Sequence, residues 1–405
     1  MEDSRSDLTR RKFIGASLGC LVSAGLVGVS PGKVLAEEEP ESSAGEIVYR
    51  TLGRTGIKLP VVSMGAGAAN DPGIVQASYK LGVRHFDTAA NYQFGRNEQM
   101  VGNAIARLGV RDQVIYGTKV MTPAQRRDVT PEQVKKRLFQ SIEGCLRRLK
   151  TDYLDIVYIH DVRDAAPIKD QAMMDGMAEL KKQGKILHTG VSTHANMAEV
   201  INETVSGGFY DVVLTSFNFT MADDTAMMGA VKNAGAKGIG IVAMKTQAGG
   251  ANFPEPQTRT EFSNSVINRA ALKWVARNKN VATSIPGFSN YEHMNEDFSV
   301  ASNLEYTDEE RKFLSDNNIR LSIGFCRQCR QCLASCEHGT DIPNLMRTHM
   351  YAAQYADFYL ARTTLNEIRS DQSLVNCVSC SDCSAICANR VDIARRIEEL
   401  KLMYA

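Results

Sequence analysis

The sequence has almost no excess of charge of either sign. Its 405 residues include 47 lysines and arginines against 46 aspartates and glutamates, a formal net charge of +1. A chain without a strong overall field has no bulk attraction to nucleic acid or to an acidic membrane surface. We therefore expect neither of them as a partner.

Long apolar runs are also lacking. The stretch from Phe13 to Val29 contains four glycines and is short for a membrane span. It follows Thr9-Arg10-Arg11-Lys12-Phe13-Ile14, which resembles the twin-arginine export motif, and Val34-Leu35-Ala36 offers a cleavage site. We predict a signal peptide over 1–36, a linker over 37–46, export to the periplasm or the outer face of the cytoplasmic membrane, and no membrane span after cleavage. A basic amphipathic tail and a retained signal anchor are the alternatives.

Cysteines are few outside one region near the C-terminus. Of ten cysteines, only Cys20 and Cys145 lie elsewhere. The other eight form two runs of spacing C-x2-C-x2-C-x3-C, and a shift of 51 residues superposes the runs and also Asp341-Ile342 on Asp392-Ile393. The first run is Cys326, Cys329, Cys332 and Cys336, and the second is Cys377, Cys380, Cys383 and Cys387.

This spacing predicts two 4Fe-4S clusters. Thiolates are the ligands that iron–sulfur clusters prefer, and three close cysteines can hold one face of a cluster while a distant fourth completes it. Two alternatives remain. Structural zinc usually takes two separated C-x2-C pairs, and a disulfide framework is not needed by a chain long enough to bury its own core.

The runs resemble those of dicluster ferredoxins, which implies that each cluster takes its fourth ligand from the other run. One cluster would be held by Cys326, Cys329, Cys332 and Cys387, and the other by Cys377, Cys380, Cys383 and Cys336. Glu337 and Ala388 stand where those ferredoxins usually have proline, and residues 342–368 have the composition of a helix rather than a hairpin. A mostly helical ferredoxin-type domain is therefore expected over 317–405.

Residues 47–316 are predicted to form a (β/α)8 barrel. Short β-branched runs alternate with amphipathic stretches, and eight such units in ~250 residues match the usual length of this fold. A doubly wound open sheet is the alternative, although no G-x-G-x-x-G follows the first strand. The predicted strands are Leu59–Met64, His85–Ala89, Val114–Val120, Leu154–His160, Leu187–Thr193, Val212–Asn218, Ile239–Lys245 and Thr283–Gly287. The loop 247–260, which contains glycine and proline, is expected to form a mobile lid.

Titratable side chains follow three consecutive strands. Asp87 ends strand two, with Tyr92 in the loop after it, Lys119 ends strand three and His160 ends strand four. Each alone could be structural, since a strand-end aspartate often caps the next helix. All four at the carboxyl end of a parallel barrel, where active sites lie, indicate a catalytic site.

Six fragments, in order over about 250 residues, resemble the aldo-keto reductases. They are Leu52-Gly53-Arg54-Thr55-Gly56, Phe86-Asp87-Thr88-Ala89-Ala90-Asn91-Tyr92, Gly117-Thr118-Lys119, Tyr158-Ile159-His160-Asp161, Gly190-Val191-Ser192 and Ile285-Pro286-Gly287. The resemblance implies a catalytic tetrad in which Tyr92 gives a proton to a carbonyl oxygen as hydride reaches its carbon. Lys119 would lower the cost of the phenolate, Asp87 would position Lys119, and His160 would orient the carbonyl.

The resemblance also implies a nicotinamide cofactor, NADP(H) or NAD(H), at the barrel mouth. Ser192 stands where the family's serine holds the carboxamide, with Thr193 in place of the asparagine that follows. Leu214 replaces a glutamine, and Phe217 replaces a tyrosine just after it. Ser289, His293 and Glu296 occupy the positions on the adenosine side.

Together these features predict an iron–sulfur oxidoreductase that interconverts a small carbonyl and alcohol and exchanges electrons, through two clusters, with a redox partner protein. Arg327 and Arg330 lie between cluster ligands and are expected to raise the cluster potentials. A non-enzymatic electron-transfer protein whose barrel is a docking scaffold is the alternative. Free nicotinamide nucleotides are cytoplasmic, so an exported enzyme would need a tightly held cofactor or another electron source.

Overall fold

The computed structural model describes residues 45–121, 129–249, 262–378, 380 and 382–404. The expected signal peptide over 1–36 and most of the expected lid, residues 250–260, lie outside this part of the chain. Within the described residues, no helix combines the length and the apolar composition that a membrane span requires.

A two-stranded antiparallel hairpin that was not predicted opens the fold, with β1 (Tyr49–Thr51) paired to β2 (Lys58–Pro60). Its turn lies against the chain at Gly238, where Arg54 N donates to Gly238 O at 2.6 Å. Gly53 allows this approach, because a Cβ there would lie 2.4 Å from that oxygen. Leu52 and Leu59 are fully buried and extend the core inside the barrel. The hairpin therefore covers the amino-terminal end of the barrel.

Eight parallel strands form one sheet in which neighbours follow one another along the chain. Parallel bridges between Val62 and Ser284 and between Gly65 and Gly287 close it into a barrel, which excludes the open-sheet alternative. The predicted first strand divides in two, because Pro60 has no N–H and ends the β2 ladder. The barrel strands are β3 (Met64–Gly65), β4 (His85–Asp87), β5 (Ile115–Val120), β6 (Leu154–Ile159), β7 (Ile186–Thr193), β8 (Val212–Ser216), β9 (Gly240–Met244) and β10 (Thr283–Ser284).

Several helices of the barrel begin at residues whose side chains cap them. Thr130 and Gln133 form a capping box, with proline at the first helical position, and start the helix Pro131–Leu149. Thr307 and Glu310 form another at the predicted end of the barrel domain. The helices are α1 (Pro72–Leu81), α2 (Arg96–Leu108), α3 (Pro131–Leu149), α4 (Gln171–Lys182), α5 (Met197–Gly207), α6 (Thr225–Ala236), α7 (Asn264–Ala276), α8 (Tyr291–Ser299), α9 (Asp308–Ser315) and α10 (Asn317–Ser322).

The segment between the cysteine runs is a pair of helices. We predicted one helix over 342–368, whereas the chain forms α11 (Ile342–His349), a π-helical turn (Met350–Gln354) and α12 (Phe358–Asn366). The break lies at Ala356, whose φ is +51°, and Asp357 caps α12 by accepting from Leu360 N at 2.8 Å. A short helix α13 (Val375–Val378) and α14 (Ile393–Tyr404) complete the C-terminal module.

The duplication seen in the sequence is repeated in the structure of this module. Asp341 accepts a hydrogen bond from Asn344 N at 3.3 Å and caps α11, while Asp392 accepts from Arg395 N at 3.1 Å at the start of α14. The next residue in each copy, Ile342 or Ile393, is buried in the same core. Each cysteine run is therefore followed by a capped helix that packs its first apolar residue inward.

The C-terminal module lies against the carboxyl end of the barrel. Met350 and Tyr351 of the π-helical turn share an apolar core with Phe219 and Phe313 of the barrel domain. Arg347 and Tyr351 of the module also form hydrogen bonds with Asp161 and Lys245, which lie at the ends of barrel strands. The barrel mouth thus has a roof built from the segment that joins the two cysteine runs.

Candidate active site and cluster sites

The barrel brings the four predicted catalytic side chains together. Asp87 ends β4, and Lys119 in the neighbouring β5 donates to one of its carboxylate oxygens and to Thr88 O at 2.7 Å. The Lys119 Nζ lies 5.0 Å from the centre of the Tyr92 ring. The rings of Tyr92 and His160 have centres 5.9 Å apart and meet edge to face at 74°. These contacts form one polar cluster at the barrel mouth.

Charge in this cluster is carried by the buried pair of Lys119 and Asp87, each 2% exposed. Burial alone would lower the pKa of Lys119, but Asp87 and then Tyr92 outweigh burial and raise that pKa. Burial, followed by the charge of Lys119, lowers the pKa of His160 to about 3. The site at neutral pH therefore combines a protonated lysine with a neutral imidazole.

Tyr92 departs from the expected electrostatics. Lys119 acts to lower the pKa of this phenol, as predicted, but burial is the larger effect and the pKa is raised above its ordinary value. Lys119 thus acts in the predicted direction, and the loss of hydration on burial outweighs it. A phenol that stays protonated is suited to giving a proton to a carbonyl oxygen.

A second lysine at the end of a barrel strand was not among the predicted site residues. Lys245 follows β9, and its Nζ donates to Tyr351 Oη at 2.9 Å and lies 3.0 Å from His194 Nδ1. The signal was present, because Lys245 ended predicted strand seven as Lys119 ended strand three. Tyr351 could not be found in this way, since it reaches the barrel mouth only by docking of the C-terminal module.

An ion-pair network ties the module to the residue after His160. Arg347 of α11, 5% exposed, donates to Asp161 Oδ2 at 3.3 Å and to Glu367 Oε2 at 2.9 Å. Arg163 also bonds Asp161 Oδ2, at 2.6 Å. Burial would raise the pKa of Asp161, but Arg347, His194 and Arg163 hold it well below its usual range. Asp161 is thus a charged anchor between the two parts of the fold.

Only some of the side chains implied for nicotinamide binding can contact a bound nucleotide. Ser192 Oγ accepts from Asp161 N at 3.1 Å, which leaves its own proton for a ligand, whereas Thr193 Oγ1 donates within a local turn to Ala195 O at 2.7 Å. Phe217 is fully buried against Trp274, with ring centres 5.1 Å apart. The prediction of Phe217 as a cofactor contact is therefore wrong, because its ring belongs to the core.

The implied adenosine-side positions lie on the segment after β10 and on α8. Ser289 Oγ and His293 Nδ1 are 2.9 Å apart and exposed, so both can meet a ligand. Glu296 is half-buried, with one carboxylate oxygen 4.0 Å from Arg269 Nη1. Its neighbour Asp297 accepts from Gln247 Nε2 at 2.6 Å, and burial raises the pKa of Asp297 to about 8.

The eight cysteines of the two runs are free thiols rather than disulfides. A cavity of about 330 Å³ is lined by Cys326, Cys329, Cys332 and Cys387, that is, by three thiols of the first run and the last of the second. Burial raises the pKa of Cys326 to about 12, and the nearby thiols of those other three cysteines add to the rise. In the described part of the chain, no three ligand side chains meet closely enough to hold a single metal ion.

The two runs cross near their fourth cysteines. Ser335 Oγ accepts from Ile386 N at 2.8 Å, and Ser384 Oγ accepts from Glu337 N at 3.3 Å, so the segments before Cys336 and Cys387 pass each other. Burial raises the pKa of Cys377, and a hydrogen bond to Thr340 lowers it. The nearby thiols of Cys380, Cys336 and Cys383 raise it further. The thiols therefore fit two clusters, each with a fourth ligand from the other run.

Arg327 has a different partner from the one we expected. Its guanidinium donates to Thr220 O and to Asp223 Oδ1, the latter at 2.8 Å, and lies 3.9 Å from Asp224 Oδ2. Its positive charge is thus partly compensated by barrel carboxylates, and the contact fastens the module to the barrel. Arg327 and Arg330 both line the first thiol cavity, so their action on a cluster there stays a prediction.

Comparisons with known proteins agree with this division. Residues 69–265 match the aldo/keto reductase family, and residues 325–392 match the 4Fe-4S dicluster domain. The chain is 26% identical over 304 residues to L-galactose dehydrogenase of Arabidopsis thaliana, covering 67% of this chain and 93% of that protein. It is 24% identical over 325 residues to L-glyceraldehyde 3-phosphate reductase of Escherichia coli K12, covering 66% and 91%.

Solved structures share the barrel. An aldo-keto reductase from Klebsiella pneumoniae in complex with NADPH aligns with a TM-score of 0.52 at 22% identity, covering 66% of this chain and 94% of that one. The chain thus joins an aldo/keto reductase domain to a 4Fe-4S dicluster domain. It is an oxidoreductase of aldo-keto reductase type that carries iron–sulfur clusters, and the docking-scaffold alternative loses its support.

Proposed function

We propose that the protein interconverts a small carbonyl compound and its alcohol at the tetrad and exchanges the electrons of that reaction through its clusters. One observation carries the proposal. A single cavity of about 400 Å³ is lined by Lys245 of the barrel, Arg347 of the roof and Cys326 of the first cysteine run. The barrel mouth and a cluster ligand therefore border the same cavity.

The electron count supports this coupling. Oxidation of an alcohol gives one proton to Tyr92 and a hydride, that is, two electrons and one proton, which a nicotinamide would accept. Two one-electron clusters could then take up those two electrons, with the proton of the hydride released to solvent. Arg347 and Arg327 fix the module on the barrel, so the separation between the two redox sites is set by ion pairs at both ends of the interface. A redox partner protein would exchange electrons with the clusters.

Proton handling belongs to the tetrad. Tyr92 is the acid that protonates the carbonyl oxygen during reduction and the base that accepts the alcohol proton during oxidation. Lys119, held by Asp87, stabilises the phenolate that appears in either direction. Neutral His160 can hydrogen-bond the carbonyl oxygen without adding a charge, since its pKa lies far below neutrality.

A nicotinamide nucleotide, as bound by the Klebsiella pneumoniae reductase, would supply or accept the hydride if this chain binds one. Ser192 has a hydroxyl proton available for the carboxamide, and Ser289 and His293 offer exposed polar groups on the adenosine side. Phe217 and Thr193 have no polar group free for a ligand, so Ser192, Ser289 and His293 would provide these contacts.

The proposal is tested by measuring turnover of a panel of carbonyl compounds with anaerobically prepared, cluster-loaded protein. Reduced clusters and NADPH serve as electron donors in separate reactions, and the alcohol product is quantified. Tyr92→Phe is expected to lower turnover about 10²–10⁴-fold. Tyr210→Phe is the matched control, because it also removes a buried phenol hydroxyl. The hydroxyl of Tyr210 has no hydrogen-bond partner in the described structure. Equal turnover in wild type and Tyr92→Phe contradicts the assignment.

We also propose that the protein is exported by the twin-arginine route. That route carries folded proteins, and thiols already bound to clusters are protected in an oxidising compartment, whereas eight free thiols are not. Fractionation of cells should place wild type outside the cytoplasm and the double variant Arg10→Lys, Arg11→Lys inside it. A Lys33→Gln control should behave as wild type, and an unchanged distribution of the double variant would reject the proposal.

A further inference from the structure

Over the described part of the chain, the lining of the cavity between barrel and module contains basic but no acidic side chains. Three cationic side chains line it, Lys245, Arg347 and Arg396, together with the neutral His194 and Ser216, and no aspartate or glutamate is among the described residues that line it. Arg347 is engaged by Asp161 and Glu367. The cavity nevertheless keeps a positive lining beside a catalytic site.

Two lysines at the ends of barrel strands differ in their partners. Lys119, after β5, forms an ion pair with Asp87. Lys245, after β9, hydrogen-bonds only neutral groups in the described structure, Tyr351 at 2.9 Å and His194 at 3.0 Å. The nearby carboxylate, Asp161, is already bound by Arg163 and Arg347. The ammonium group of Lys245 therefore borders the cavity without an anion of its own.

An unpaired ammonium in such a place is costly. Burial, and then the charge of Arg347, lowers the pKa of Lys245 well below its ordinary value, although the side chain stays partly accessible from the cavity. If this position had a purely structural role, the fold would be more stable with a neutral side chain of the same length. A bound anion would offset the cost and restore the charge.

We propose that this cavity binds an anionic group of the substrate, a carboxylate or a phosphate, with Lys245 as its main contact. The inference rests on the proposed function, because it makes the substrate an anionic carbonyl compound or its alcohol. Proximity to the tetrad supports it. The charge of Lys119 acts on Lys245, and the charges of Arg347 and Lys245 act on His160. The anion held in the cavity would lie near the tetrad, and the attached carbonyl would extend from it toward Tyr92, which does not itself line the cavity.

The test is calorimetric titration of full-length, cluster-loaded protein with glycolate, glycerol 3-phosphate and inorganic phosphate, against the neutral analogues ethylene glycol and glycerol. Saturable binding of at least one anion, about tenfold or more tighter than its neutral analogue, is expected from a charge-assisted hydrogen bond. Equal or absent binding of both kinds of probe overturns the proposal, and this comparison needs no variant to fold.

Variants assign the contact. Lys245→Met should weaken anion binding about tenfold or more, Lys245→Arg should retain most of it, and Lys232→Met, which removes an exposed lysine of α6, should change nothing. If Lys245→Met alters iron content or cluster potential but not anion affinity, the charge serves the cluster and the proposal fails. If it abolishes only binding of NADPH, the charge serves the nucleotide and the substrate assignment fails.

The two hypotheses fail separately. Tyr92→Phe should bind the anionic probe as wild type does while losing turnover. Normal turnover in Tyr92→Phe with charge-selective binding intact would reject the proposed function and leave the anion site standing. Charge-independent binding with tetrad-dependent turnover would reject the anion site alone.

Discussion

The guanidinium of Arg347 lies 3.3 Å from the carboxylate of Asp161, the residue that follows His160 at the end of β6. One partner belongs to the cluster module and the other to the catalytic barrel, and both are buried or nearly so, with side chains 5% and 11% exposed. The position of the roof is therefore fixed one residue away from a member of the tetrad.

Arg347→Met should destabilise the folded protein by roughly 3 kcal/mol, because it leaves Asp161 with less compensation and Glu367 without its closest cation. Denaturant unfolding measures the loss. Arg369→Met is the control, since its ion pair with Asp371 is exposed and screened by solvent and should contribute little. Equal stability of the two variants would show that the buried pair does not fasten the module.

Cysteine variants should group by cluster and not by run. Cys387→Ser should give the same spectroscopic defect as Cys326→Ser, and Cys336→Ser the same as Cys377→Ser, because the two runs cross before their fourth cysteines. Each variant is expected to lose up to about four of about eight irons. Electron paramagnetic resonance of the reduced proteins identifies the surviving cluster. A shared defect of Cys387→Ser and Cys377→Ser would indicate uncrossed ligation.

Asp297 should make stability depend on pH in an unusual direction. Its pKa is raised by burial to about 8 in the folded state, so between about pH 5 and 7 the native carboxyl is protonated while the unfolded one is ionised. The unfolded state then binds fewer protons, and this group lowers stability by about 1.4 kcal/mol per pH unit as pH rises. Asp297→Asn should remove that slope. An unchanged slope in the variant would mean that the folded carboxyl is ionised.

Gly117 leaves space that the tetrad needs. A Cβ on this residue would lie 2.8 Å from His85 Nε2 and 3.1 Å from Asp87 Oδ2, inside a fully buried strand. Gly117→Ala should cost about 1–3 kcal/mol of stability and reduce activity by displacing Asp87 from Lys119. Gly229→Ala, where a Cβ meets nothing within 4 Å on a helix, should be neutral or stabilising. Comparable losses in both would argue against crowding of Asp87.

The sequence anticipated the features that depend on local rules. The tetrad could be placed because parallel barrel strands deliver Asp87, Lys119 and His160 to one rim, whatever the loops do. The crossed thiol sets followed from the resemblance of the two runs to those of dicluster ferredoxins. These inferences need only the chain near each residue and one architectural rule.

What escaped prediction depends on long-range docking. The ion pair of Arg327 with Asp223, over a hundred positions earlier, was not anticipated. Tyr351 and Arg347 became site residues because the module folds back over the barrel, and no periodicity records that approach. Phe217 was misplaced because burial against Trp274, rather than its position after a strand, decides where its ring lies.

The central claim is that the tetrad and the clusters work on the same electrons, and single-turnover reoxidation tests it most directly. Clusters are reduced without oxygen, the reductant is removed, and a carbonyl substrate is added together with NADP⁺ as the hydride carrier, while cluster absorbance and alcohol are followed. We expect wild-type clusters to reoxidise with one alcohol formed for every two electrons lost, and Tyr92→Phe clusters to stay reduced. Clusters that remain reduced in wild type while NADPH-fed turnover proceeds, or that reoxidise equally in Tyr92→Phe, would contradict the account.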